Sequence, residues 1–334
     1  MRVMLSATSS SVAIVAIGRN EGERLKCCLS AALAAASMVV YVDSGSSDGS
    51  AAYARSVGCT VHELDAARPF SAARARNEGF ARLMEIAPET TFVQFLDGDC
   101  ELDPAWLEAG IEALRARPEL GIARGAVSEM YPERSVYNRL CSLEWQQKLG
   151  EVDACGGRFL LRARVFRQMN GMRADLIAGE DDEFCLRVRE AGWKIAMLDA
   201  PMARHDAAIT RWSQWWQRMR RAGHAFAQVA ELHPGWPYFR GERRKLWIWG
   251  LLVPLAGLLP LVMTHGGSLA AAVGLYALQY IYIARGALRR GWRAADAWPY
   301  AAFVVLSRFP GLLGLLEYKL RQRFGRNSRL IEYK

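Results

Sequence analysis

The sequence predicts a parallel α/β domain followed by a helical, membrane-seeking region. Three observations carry this expectation. Short apolar strands alternate with helix-like stretches from residue 12 onward. Three of the turns that follow strands are polar, glycine-rich or acidic. Beyond Leu246 lie two long uncharged runs bounded by arginines.

The first strand is the apolar run 12–17, which stops at Gly18 and reads as buried on both faces. It is too short for the apolar core of a secretory signal. A helix-like stretch, 21–36, leads to a second strand, 38–42, which stops at Asp43-Ser-Gly-Ser-Ser-Asp-Gly49. A helix over 50–57, a weak strand over 60–63 and a helix over 72–86 follow. The strand 91–96 then stops at Asp97. A helix is expected over 104–117, with Asp103 as its N-cap and Pro104 in the first position. Residues 121–130 read as a strand, and 182–191 as a helix closed by Gly192.

Charge divides the 334 residues. From Arg240 onward there are 15 Lys and Arg against 4 Asp and Glu, and before it 28 against 30. The basic clusters flank apolar runs, which suits anionic lipid headgroups and not nucleic acid. The seven cysteines form no C-x-x-C pair, so a zinc site is not expected, and they read as reduced thiols.

Residues 1–239 are expected to form the α/β domain and 240–334 the membrane region. Within 211–228, Trp212, Trp215, Trp216, Arg218, Arg220 and Arg221 suit an interfacial amphipathic helix. The uncharged runs 246–264 and 268–284 have the length of transmembrane helices. Arg243-Arg-Lys245 before the first and Arg285 to Arg293 after the second orient them as a hairpin with both ends on the cytoplasmic side. The segment 297–316 carries Arg308 and Pro310 mid-run and is basic on both flanks, so it is expected to be re-entrant or interfacial. A basic cytoplasmic tail including Arg326 and Arg329 follows it.

The chemistry centres on Asp97-Gly98-Asp99. Two carboxylates one small residue apart at a strand end can hold Mg²⁺ or Mn²⁺ against phosphate oxygens. Asp43 offers an acceptor to a base or ribose, and Asp48 caps the next helix. Arg74, Arg76 and Asn77 stand at a helix start, where guanidinium groups suit a diphosphate. Gly179-Glu-Asp-Asp-Glu183 places acids at a helix N-terminus, where one can act as general base.

Taken together, Val15-Ala-Ile-Gly-Arg-Asn-Glu-Gly22, Val42-Asp-Ser-Gly-Ser-Ser-Asp-Gly49, Arg76-Asn-Glu-Gly79, Phe95-Leu-Asp-Gly-Asp99 and the 179–187 segment resemble the inverting family 2 glycosyltransferases of GT-A fold. The resemblance implies a Rossmann-like, mostly parallel catalytic sheet. It implies a nucleotide pocket lined by Asn20 and Glu21, with Asp43 at the base and Arg76 and Asn77 near nucleotide and phosphates. Asp97 and Gly98 would meet the ribose or metal, and Asp99 the metal. Gly156 and Gly157 would form a tight segment by the sugar. His205 would be a further metal or phosphate contact. Asp181 would be the base, with Glu180 and Asp182 as its alternatives.

The expected reaction moves a sugar from a nucleoside-diphosphate sugar to a hydroxyl of a lipid-linked or glycan acceptor, in polysaccharide or glycolipid synthesis at the inner (cytoplasmic) membrane. Gln214-Trp-Trp-Gln-Arg218-Met lacks the tryptophan that processive relatives carry after the arginine, so single addition is expected. The alternatives are transfer onto polyprenyl phosphate itself and, in another class, a non-catalytic nucleotide-sugar-binding scaffold. A nucleotidyltransferase would need a glycine-rich phosphate loop, which Gly18-Arg-Asn-Glu21 does not supply.

Overall fold

The computed structural model describes residues 12–146 and 148–325. They form two compact units, and the chain passes between them several times. The first holds the residues up to 132 with 141–176 and 180–208, and the second holds 133–140, 177–179 and 209 onward.

The first unit begins β1 (Val12–Gly18), α1 (Glu23–Ala35), β2 (Val39–Asp43), α2 (Ser50–Ser56), β3 (Thr60–Glu63), α3 (Ala72–Ile86) and β4 (Phe92–Asp97). It continues with β5 (Cys100–Leu102), α4 (Trp106–Ala116) and β6 (Leu120–Glu129). After α5 (Val136–Glu144), which starts in the second unit, come β7 (Gly150–Glu151), β8 (Phe159–Arg162), α6 (Ala163–Gln168), α7 (Glu180–Glu190) and β9 (Lys194–His205). One mixed sheet runs β3-β2-β1-β4-β8-β6-β9-β5, with β7 on β9. β1 to β4, β6 and β9 share a direction, and β5, β7 and β8 oppose it.

Alternate residues of each strand face opposite layers. Ile14, Tyr41 and Leu96 pack with Leu25 and Leu29 of α1 and Trp106 of α4. Val15, Val42 and Phe95 pack with Phe80 and Leu83 of α3 and Phe184 of α7. Helices on both faces explain why these strands read as unbroken apolar runs. Register aligns the strand ends: Gly18 pairs with Asp43, and Ile17 with Asp97. The acidic turns therefore leave the sheet at one edge, where α/β sheets bind ligands.

Two local differences from expectation have simple causes. α4 starts at Trp106, after a turn over 104–105. Ala105, not Asp103, holds the N-cap position and no side chain caps it; Asp103 Oδ1 instead accepts from the Ala105 N–H at 3.0 Å in the preceding turn. β5, β8 and β9 were not expected. β5 and β8 are three and four residues long. β9 mixes exposed and buried positions around Asp199 and Pro201.

The second unit contains α8 (Trp212–Leu232), α9 (Pro237–Trp247), a π-helical turn (Ile248–Leu252), α10 (Val253–Leu258), α11 (Gly267–Arg289), α12 (Ala294–Leu306) and α13 (Arg308–Arg323). α8 and α13 touch backbone to backbone. A Cβ on Gly223 would overlap Gly311, and one on Gly314 would overlap the Arg220 carbonyl, so only glycines permit this crossing.

Among the described residues, two stretches are long and apolar enough to cross a membrane, Gly267–Arg289 and Ala294–Arg323, each with mean hydropathy 1.4. The expected 268–284 run lies within the first. The 246–264 run is divided among the end of α9, the π turn, α10 and the turns after Leu258. The 297–316 segment lies in α12 and α13, which are separated only by Ser307. Pro310 falls in the first turn of α13, where its missing N–H costs no hydrogen bond. Arg308, the charge that argued against a span, pairs with Glu242 at 3.0 Å. In α8, Trp215 is buried, stacked on Tyr137 and edge-on to Phe303, while Trp212 is 44% exposed. Arg326 and Arg329 of the expected basic tail lie outside the described residues.

Candidate functional site

The site grows from the aligned strand ends. After β1, Asn20 takes a left-handed backbone (φ 55°). Its Oδ1 accepts from the Ser47 N–H at 2.8 Å, and its own N–H donates to Ser46 Oγ at 2.9 Å. Asp43 is buried and shapes the same turn, accepting from the N–H groups of Gly45 and Ser46 and from the Tyr41 hydroxyl. Asp48 caps α2 through the Ser50 N–H and accepts from the Gly22 N–H, which ties the first two loops together. Asn20 and Asp43 thus fix the loop that follows β2. Glu21 is paired with Arg24 at 2.7 Å.

α3 contributes one residue to the cluster at its C-terminal side of the sheet. Arg74 donates to the carbonyls of Asp65 and Arg68 and to Glu78, and so holds the 65–70 loop. Asn77 clasps the backbone of Met172 through both ends of its amide, at 2.7 and 2.8 Å. Asn77 therefore positions a loop, where the sequence had set it beside nucleotide and phosphates. Arg76 instead bridges Asp97 at 2.8 Å and Glu180 at 2.9 Å. Burial works against its charge, but Asp97, Glu180 and Asp181 outweigh it and the pKa rises. Gly157 makes this reach possible, since a Cβ there would collide with the Arg76 guanidinium.

Arg158 lies at 3.3 Å from Asp97 and donates to His205 Nδ1 at 2.9 Å. Arginine has only N–H groups to offer, so Nδ1 accepts and the ring proton sits on Nε2. Nε2 then donates to Asp99 Oδ2 at 3.1 Å. β5–β9 pairing brings this about by setting Cys100 opposite His205. Trp145 stacks on the imidazole, ring centroids 4.5 Å apart. Gly98 must be small, because a Cβ would press within 3.2 Å of the Ile17 carbonyl.

Asp181 and Asp182 occupy the first turn of α7, half-buried, and neither forms an ion pair among the described residues. Burial first, then the Glu180 carboxylate, raises the Asp181 pKa, with Arg76 opposing. Burial, Asp181 and Glu180 raise Asp182 still further. Glu180 is buried and held by Arg76.

The donor set fits a divalent cation. Ligand atoms of Asp99, Cys100 and His205 lie within 4.8 Å of one another. Burial pushes the Cys100 thiol well up, so it stays protonated, and hard cations prefer oxygen and imidazole. Asp99 is the better-suited ligand; His205 can join it only with Arg158 off Nδ1 and the ring proton moved there, since Nε2 is protonated toward Asp99 here. Asp97 is occupied by two arginines. Sequence reasoning missed Cys100, Arg124, Trp145 and Arg158. A lone arginine in the apolar stretch of β6 is the one signal that pointed to any of them.

Residues 11–169 match the family model described as Glycosyl transferase family 2. Glycosyltransferase AglE of Haloferax volcanii is 22% identical over 216 residues, 61% of this chain and 69% of its own length. The pre-mycofactocin glycosyltransferase of Mycobacterium tuberculosis is 26% identical over 212 residues, 59% of this chain and 43% of its own. Among solved structures, the mannosyltransferase PcManGT from Pyrobaculum calidifontis, determined with GDP-Man and Mn²⁺, shares the fold. Its TM-score is 0.58 at 16% identity, over 92% of this chain and 87% of that one.

Proposed function

We propose, from the premise that this chain is a family 2 glycosyltransferase of GT-A fold, that it adds a single sugar from a nucleoside-diphosphate sugar to a hydroxyl of a lipid-linked glycan, with inversion. The observation that carries the reading is one charge network. Arg76 joins Glu180, beside the Asp181 carboxyl of raised pKa, to Asp97 of the Asp-x-Asp turn, and Arg158 joins Asp97 to His205 and Asp99.

Asp181 takes the proton of the acceptor hydroxyl as that oxygen attacks the anomeric carbon. The bond to the diphosphate breaks on the opposite face, and the leaving group departs with its electron pair. Arg76 and Arg158 hold Asp97 and, through His205, Asp99 in place while this charge develops. Mg²⁺ or Mn²⁺ held by Asp99 would neutralise the diphosphate, and His205 would join as a ligand once Arg158 releases Nδ1 and the ring proton moves there. Mn²⁺ in the PcManGT structure supports this choice.

Lipid supports the acceptor assignment. Leu259, Val262 and Met263 are 79–86% exposed, and Leu278 and Tyr282 of α11 are also open. Bare apolar side chains on a spanning-length helix, and in the turns that lead into it, suit acyl chains. We place the membrane region in the inner membrane and the catalytic unit on its cytoplasmic side, following the arginine-rich flanks.

The test combines a thermal-shift panel of nucleotide-sugars, with and without Mn²⁺, and two variants. Wild type is expected to gain stability only when nucleotide and Mn²⁺ are both present. Asp99→Asn should lose that linkage. Asp181→Asn should keep it but transfer sugar about 100-fold or more slowly. Wild-type turnover by Asp181→Asn removes the base assignment. Binding without turnover in wild type, over a wide panel of acceptors, leaves the scaffold reading in its place.

A further inference from the structure

Arg124 stands apart from the other buried arginines of the first unit. Arg74 is held by carbonyls and Glu78, Arg76 by two carboxylates, and Arg158 by Asp97 and His205. Arg124 is 3% exposed and has no hydrogen bond or ion pair among the described residues; its Nε is buried without a partner. It projects from β6, the strand between β8 and β9.

Gly156 shows where this side chain aims. The position a Cβ would take on Gly156 lies 3.8 Å from Arg124 Nη1 and 3.8 Å from Asp181 Oδ2. The two groups are therefore no more than twice that distance apart, yet too far apart to pair. Gly156 has φ 70°, so a side chain is disfavoured there and the space stays open. Burial and the nearby Arg158 disfavour the Arg124 charge, and Cys155, Asp181 and Cys185 only partly offset them. A buried cation in that condition is a standing attraction for an anion.

We infer that Arg124 binds an anionic oxygen group carried by a substrate, in the space bordered by Gly156 and Asp181. The planar guanidinium fork fits a carboxylate or a phosphate. Two sources carry such a group to this place: a uronate carboxylate on the transferred sugar, or a phosphate on the acceptor. The inference rests on the proposed reading that Asp181 faces the reacting centre.

The experiment uses the full chain in detergent with Mn²⁺ and either UDP or GDP present. Two probe pairs are titrated by calorimetry, glucuronate against glucose and farnesyl phosphate against farnesol. In one pair the anionic member is expected to bind about tenfold tighter or more. Preference for glucuronate identifies a donor carboxylate, and preference for farnesyl phosphate an acceptor phosphate. Arg124→Gln should abolish the preference without changing Mn²⁺-linked nucleotide binding. Arg124→Lys, which keeps charge but not the fork, should weaken it and decides the matter should Arg124→Gln not fold. Equal binding within both pairs in wild type overturns the inference, as does a preference that survives unchanged in the folded variants. Failure of wild type to bind either nucleotide would count instead against glycosyl transfer itself.

Discussion

Gly157 leaves the Arg76 guanidinium room to reach two carboxylates at once. Its backbone is not left-handed, so space is the requirement and not conformation. Forcing a methyl into a packed site costs about 1–3 kcal/mol, and breaking a buried ion pair about 3–5 kcal/mol. The loop should therefore yield before Arg76 does. Gly157→Ala is expected to lower the melting temperature and to slow transfer by about tenfold or more, read by thermal melts and a sugar-transfer assay. The Asp-x-Asp turn was legible because an apolar strand leads straight into it. Arg158 was not, because its partners Asp97 and His205 stand 61 and 47 positions away along the chain. Asn77 lay in a readable motif, but only the fold shows that its amide is occupied by Met172.

At the scale of elements, the packing of α8 on α13 imposes a pH dependence. His224 of α8 is buried, its ring edge-on to Tyr318 at 5.1 Å. Burial, the largest influence, lowers its pKa to about 4. The unfolded chain takes up a proton near pH 6.5, while the folded ring stays neutral until about 4. The stabilisation is therefore complete above about pH 6.5 and falls away as the pH drops toward 4, by roughly 2–3 kcal/mol. Melting curves across that range should show the decline, and His224→Gln should flatten it. β1, β2 and β4 were legible because burial on both faces makes them continuous apolar runs. β9 was not: Asp199 and Ala200 interrupt its buried positions, and its pairing with β6 shifts register. The third apolar segment, 297–316, was read as re-entrant or interfacial because of Arg308, Pro310 and its basic flanks, and a sequence cannot show that Arg308 pairs with Glu242.

Over the whole molecule, the sequence pointed to a division near residue 239, whereas the chain interleaves. Residues 133–140 and 177–179 group with the C-terminal helices. Arg139 makes a two-pronged bond to Asp296 at 2.8 Å for each arm, and the Asn138 and Ser135 side chains bond the backbone of Ile209. Arg221 bonds the Ile177 carbonyl at 2.9 Å. These partners are remote in sequence, so composition could not reveal them. A chain ended at Ala208 is expected to be cut rapidly within 133–140 and 177–179 by limited proteolysis, where the full chain resists. The same interleaving bears on how such proteins exchange parts. A chimaera joined once at 208/209 would graft helices onto two inherited segments that no longer match them. A workable hybrid has to exchange three stretches together, so inheritance of the membrane region is tied to that of the residues leading into α5 and α7.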